Sequence, residues 1–255
     1  GPGGHPWGLY QIFMVEMWER FSFYGMRALL TLYMVKGFLG YGDSTAYSIY
    51  AAYGALVYCT PYFGGMIADH YIGQRNAVIF GGILMALGHL LMTAENEIIF
   101  FTALAFLIAG NGFFKPNISS LVGELYPTNS TRRDSGYTIY YLGINLGAAL
   151  APIACGYIGE TYGWHYGFGL ATIGMIVGVI MFIIGGLASA ILVGITTIGL
   201  AGGLVLLPAE NDIQFTVRLL LAIALSVAGY FAAKSYLAGK IPDHIGRAPR
   251  SDSKN

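Results

Sequence analysis

The sequence predicts an all-α membrane protein: a six-helix bundle over residues 1–186, a two-helix transmembrane hairpin over 187–238 and a polar tail over 239–255. Three observations predict it. Of 255 residues, 56% are hydrophobic and only 10% charged, too apolar for a water-soluble domain of this size. Apolar runs long enough to cross a bilayer, about 20 residues each, recur with polar punctuation between them. The runs are continuous, without the alternation of a barrel strand, which leaves helices as the way to satisfy the backbone in lipid. Formal net charge is zero, so no nucleic-acid partner is expected. Cys59 and Cys155 sit singly in apolar runs with neither metal-ligand nor disulfide spacing, and no metal or cofactor is predicted.

Taken in order, the spans fall near 9–37, 44–68, 76–93, 98–121, 135–158 and 165–186, with the hairpin helices near 187–207 and 213–236. The first lacks a basic leader and a small-residue cleavage site, so it reads as a retained helix. With the N-terminus in the cytoplasm, Arg75, Arg132 and Arg133 fall inside, as do Lys234, Lys240, Arg247, Arg250 and Lys254 at the far end. The opposite loops hold Asp43, Glu95, Glu97, Glu160, Glu210 and Asp212, with Lys36 and Arg218 the basic exceptions. The positive-inside rule then gives a multi-pass protein of the cytoplasmic membrane, N-terminus inside. From Tyr166 to Ala209 there is no charge, about twice the length of one span, and only Gly185 and Gly186 offer a break. Either the reversal there is very tight or a connecting loop is missing from the chain as given, and the missing loop is the expectation. In the hairpin, Gly199, Ala201, Gly202 and Gly203 are small enough to let helices pack closely.

The first helix carries EMWERFSFYGMR, Glu16 to Arg27, in a run otherwise built for burial. With Glu16 at zero on a helical wheel, Glu19 lies at about 300°, Arg20 at about 40° and Arg27 at about 20°. The ionisable groups share one face. A charge at bilayer depth costs several kcal/mol, so that face should turn to the bundle interior or a watery crevice, with its groups paired. Glu16 and Arg20, four apart, pair along the helix, and Glu19 competes for the same guanidinium. A carboxylate holds its proton weakly beside a cation and more firmly when the cation leaves, so movement of Arg20 would load or release a proton. A static ion pair that only helps helices pack is the alternative.

AGNGFFKPNISS places a second charge, Lys115, in mid-span, before Pro116, which removes a helical hydrogen bond. Lys115 needs a carboxylate or water, and the face of Glu16 and Glu19 is the expected supplier; snorkelling is disfavoured because the end of the span is well beyond it. Asn111, one turn earlier, lies on the same side. Tyr137, Tyr141 and Asn145 form a slowly rotating polar stripe on the fifth helix, of which Asn145, deep in an apolar run, is the strongest candidate. His89, alone in mid-span, reads as a packed residue.

These residues carry a resemblance. GGMIADHYIGQRNA, residues 64–77, is similar to the loop between helices two and three of the major facilitator superfamily, through Gly65, Asp69, Gly73 and Arg75. Glu16, Glu19 and Arg20 match the ExxER pattern of proton-dependent oligopeptide transporters, with Phe21 to Gly25 resembling that family's FYYG continuation, save that Phe23 replaces its first Tyr. GFFKPN and GINLGA resemble its fourth-helix and fifth-helix segments. The fold so implied is the major-facilitator N-terminal bundle plus the hairpin many bacterial members insert between their halves.

The resemblance implies symport of di- and tripeptides with protons by alternating access, with protons as the coupling ion. It assigns Glu16, Glu19, Arg20 and Lys115 to proton coupling, and Tyr24, Arg27, Tyr58, Lys115 and Asn145 to the peptide pocket. Arg27 and Lys115 would hold the peptide carboxylate, and Asn145 and the tyrosine hydroxyls its amide edges. Asp69 and Arg75 would form a cytoplasmic gating or packing cluster. Such transporters place the site between two six-helix halves, so a C-terminal half is an expected partner, beside peptide, protons and the lipid bilayer. A membrane scaffold, or an embedded enzyme using the Glu pair as acid and base, is the alternative; no mid-span metal set or Ser/His pairing supports the enzyme.

Overall fold

The computed structural model describes residues 1–239 and 241–248; Lys240, Arg250 and Lys254, used above for orientation, lie outside them. Among the described residues there are eight long helices and no strand. They are α1 (Trp7–Lys36), α2 (Asp43–Ile67), α3 (Gln74–Leu91), α4 (Glu97–Glu124), α5 (Arg133–Tyr162), α6 (Trp164–Ile184), α7 (Gly186–Leu206) and α8 (Asp212–Ala238). α4 to α8 are long and apolar enough to cross a membrane; α1 carries its buried ionic groups and α2 and α3 are shorter in apolar content. Large apolar side chains such as Ile198, Leu206 and Ile213 stand exposed, a surface suited to lipid.

α1 is the axis. It packs on α5 and α6 and touches α8, while α4 packs between α2 and α3, and α3 joins α6. Close approach rests on glycine. A Cβ on Gly64 would stand 2.0 Å from the Gly112 carbonyl oxygen, and Gly81 and Gly110 each meet the other's carbonyl, at 2.6 and 2.7 Å. These contacts bring α4 against both α2 and α3. Pro116 leaves α4 continuous. α5 opens into one wide turn at Pro152–Gly156, where Cys155 packs against Gly25.

α6 runs directly into α7: the chain reverses on Gly185 and Gly186, with φ of 62° and 63°, a left-handed pair that only glycine adopts cheaply. The small residues of α7 do not serve close packing as expected. Cβ atoms on Gly199, Gly202 and Gly203 would meet nothing within 4 Å, because the helices touch instead where Gly229 meets Thr197, 2.4 Å from its Oγ1.

The segment before α1 is docked. Arg132 donates to the Gly3 carbonyl at 3.1 Å, Tyr10 to that of Pro2 at 2.8 Å, and His5 Nδ1 lies 2.7 Å from the Tyr126 hydroxyl. Burial pushes the Tyr126 phenol up to about 12, keeping it a donor, while burial first and Arg132 second hold His5 below its ordinary 6.5. The undocked segment therefore binds the proton more readily. Docking is fully stable above that ordinary value and weakens as pH falls through it. Hydrogen exchange over residues 1–6, corrected for intrinsic rate, should accelerate from about pH 7.5 to about pH 5.5, and His5→Gln should remove the dependence.

Candidate functional site

The charged face of α1 turns into the bundle. Glu16, Glu19 and Arg20 are 0%, 0% and 3% exposed, so the expected crevice does not reach them. Arg20 Nε lies 3.1 Å from Glu16 Oε1 and also donates to Glu19 Oε2, so one guanidinium serves both carboxylates. Its plane lies over Phe23, 5.0 Å from the ring centroid, a cation–π contact that needs no hydroxyl. That gives the departure at Phe23 a positive role. Buried Tyr140 of α5 faces Glu16, and Gly147 lets α5 close on the Arg20 Cβ at 3.1 Å from its own Cβ position. Among the described residues, Glu19 Oε1 and Arg20 Nη2 have no hydrogen-bond partner, and Arg20 Nε with the Tyr140 hydroxyl at Glu16 ties the cluster.

Two turns along α1, the surface opens. Arg27 donates from Nε to the Tyr50 hydroxyl and lies 5.3 Å from that ring's centroid. Tyr24 and Tyr58 flank the same guanidinium. Lys115 of α4 does not form the ion pair expected of it: among the described residues no carboxylate lies within 4.0 Å, and Nζ sits 5.4 Å over the Tyr58 ring. It is still near enough for its field to act on both glutamates. Tyr24, Arg27, Tyr58 and Lys115 thus meet on one partly exposed face.

Asn145 is not among them. It is exposed on the flank of α5, lining an apolar gap of about 560 Å³ with Phe13 of α1 and Leu221 of α8. Asn111 is buried, with both amide atoms unpartnered among the described residues, one turn from half-buried Lys115. Asp69 and Arg75 do not pair either: exposed Asp69 accepts from Gln74 at 3.4 Å, and Arg75 turns to the segment after α8. Two residues the sequence reading passed over belong here. Tyr50 holds Arg27, and buried Tyr53, three residues on, has an unpartnered hydroxyl between Arg27 and the Glu19–Arg20 pair. Their signal is the tyrosine ladder of α2, at 47, 50, 53, 58 and 62. Among the described residues no three His, Cys, Asp or Glu side chains gather as metal ligands would.

Comparison with known proteins bears on this arrangement. Residues 75–188 match the family described as PTR2: POT family. The chain is 46% identical over 184 residues to the uncharacterized transporter YclF of Bacillus subtilis, covering 70% of this chain and 37% of that protein. It is 44% identical over 180 residues to a di-/tripeptide transporter of Lactococcus lactis, covering 68% and 36%. The chain thus spans a little over a third of these curated relatives. Among solved structures, a POT family transporter in complex with 5-aminolevulinic acid matches with a TM-score of 0.69 and 43% identity, over 71% of this chain and 38% of that one. A peptide transporter POT in complex with alafosfalin matches at 0.69 and 38%, over 93% and 49%, a share that takes in the hairpin.

Proposed function

We propose that the chain, whose residues 75–188 match the POT family, forms the first-bundle half of a proton-coupled symporter of di- and tripeptides, working by alternating access. The bundle lies in the cytoplasmic membrane with the start of α1 inside, and all eight helices cross. A second six-helix bundle closes the site over the exposed face.

The observation that carries this reading is the pairing of two different charged sets, one sealed around Glu16, Glu19 and Arg20 and one open around Arg27, two turns apart on α1. The open set, Arg27 and Lys115 with Tyr24 and Tyr58, presents two cations and several hydroxyls to a cavity side. A peptide's carboxylate is bound by the cations through charge-assisted hydrogen bonds, and its amide edge by the hydroxyls. Tyr50 holds Arg27 in position. The sealed set, Glu16, Glu19 and Arg20, is where a proton is exchanged: Arg20 neutralises one carboxylate fully, and the other must gain a proton or a second cation, which Lys115 supplies from a distance. Binding of the peptide carboxylate draws Lys115 away from that duty, and a proton replaces it. Asp69 belongs to the cytoplasmic gating region.

The test is uptake of a dipeptide into proteoliposomes holding the complete transporter, driven by an inward proton gradient. Accumulation that collapses with a protonophore is expected; peptide uptake indifferent to the gradient overturns the reading. Lys115→Ala should raise KM for dipeptide roughly ten- to a hundredfold, the worth of one charge-assisted bond of about 1.5–3 kcal/mol, with smaller loss for an uncharged competitor lacking the carboxylate.

A further inference from the structure

The chain leaving α8 does not trail into solvent. Gln11 of α1 donates to the carbonyls of Ser235 and Gly239, at 3.1 and 2.5 Å, fixing the end of α8. Beyond it Ile241 and Ile245 are 7% and 3% exposed, the first beside Gly8 of α1. Arg75 Nη2 donates to the carbonyls of Ile241 and Pro242, at 2.9 and 3.1 Å, and its backbone N–H donates to that of Gly246 at 3.0 Å. Glu124, at the end of α4, accepts from the Gly246 N–H at 2.8 Å. Gly246 has φ of 69°, and a Cβ there would fall 2.4 Å from Leu121 Cδ2; one on Gly73 would fall 2.4 Å from the Ala248 nitrogen. Asp243, 80% exposed and 4.0 Å from Arg75, adds little.

We infer that the loop ahead of α3 and the end of α4 are the receptor for this strap, residues 241–248, with Arg75 and Glu124 as its two clasps. Arg75 thereby binds the hairpin to α1, α3 and α4 as one body. Through Nη2 and its backbone N–H, Arg75 holds three carbonyls of the strap. A carboxylate answering a single N–H is the second clasp, and the two buried isoleucines give the strap its apolar register. The glycines at 73 and 246 are required by the fit of strap on loop, since either Cβ would lift it. The inference stands whether or not the protein moves peptides, because it concerns only how the chain is tied.

The test is thiol protection in the complete protein, with Cys59→Ser and Cys155→Ala as background. A reporter at Ile245→Cys should react slowly with a water-soluble maleimide, and at least ten times faster when Arg75→Gln, Glu124→Gln or Gly246→Ala is added. A second reporter at Leu150→Cys, fully buried on α5, should stay protected in all of them. Unchanged labelling at 245 overturns the inference. So does equal opening at both reporters, because the two side chains would then hold the bundle as a whole. Dipeptide uptake by the same samples reports separately on the transport reading.

Discussion

Glu19→Gln should abolish accumulation of peptide against its gradient while leaving peptide counterflow measurable. Glutamine keeps the shape of the side chain and still accepts from Arg20, so the fold around α1 has every reason to persist. What it cannot do is change charge. In the wild type Arg20 is shared by two fully enclosed carboxylates, an arrangement with one negative charge too many for one guanidinium. Enclosed charge without compensation is costly, so under the proposed coupling the set would trade a proton for a cation as its surroundings move. With Gln at 19 the pair Glu16–Arg20 is already balanced, and the trade has no motive. Counterflow needs only alternating access and therefore survives. Uphill uptake at the wild-type level would reduce the cluster to a packing device; loss of counterflow as well would place Glu19 in the moving parts themselves.

Gly147→Ala should lower stability measurably. The added carbon would stand 2.3 Å from the Met17 carbonyl oxygen, 3.0 Å from the Phe21 nitrogen and 3.1 Å from the Arg20 Cβ. Two of these are backbone atoms of α1, which cannot rotate aside, so α5 must be pushed off the axis of the bundle. Overpacking of this kind costs about 1–3 kcal/mol and here strikes the wall of the ionic cluster as well. A lower unfolding temperature in detergent, with proton coupling impaired in what remains folded, is the expected result. Gly199→Ala is the control: nothing lies within 4 Å of its Cβ, and alanine suits a helix better than glycine. If both variants melt together, the contact of α5 with α1 is looser than the geometry requires.

How much of this was legible beforehand follows from the range of the interactions. Helix limits agree with the sequence reading to within a few residues because they are set by apolar length. The Glu16–Arg20 pair was legible because four residues is one turn, and the inward turn of Glu16, Glu19 and Arg20 because lipid penalises charge. Lys115 was misjudged for the opposite reason: its neighbour is a tyrosine ring on α2, 57 residues earlier by number, and nothing in the local spacing prefers Tyr58 to a glutamate. Tyr50 was hidden among five tyrosines on one helix. The partners of Arg75 lie 166 and 167 residues away and are backbone carbonyls, which have no letter in a sequence. Close glycine contacts were sought where glycines cluster, on α7, yet they occur where two helices meet atom to atom, at Gly64 and Gly112.

The reversal at Gly185 and Gly186 has a mechanical corollary. A reversal this short leaves the start of α7 tethered next to the end of α6, however freely the two glycines turn. If the six-helix body rocks as proposed, the outlying pair has to travel with it through the surrounding lipid, and mobility there would report on the body's swing.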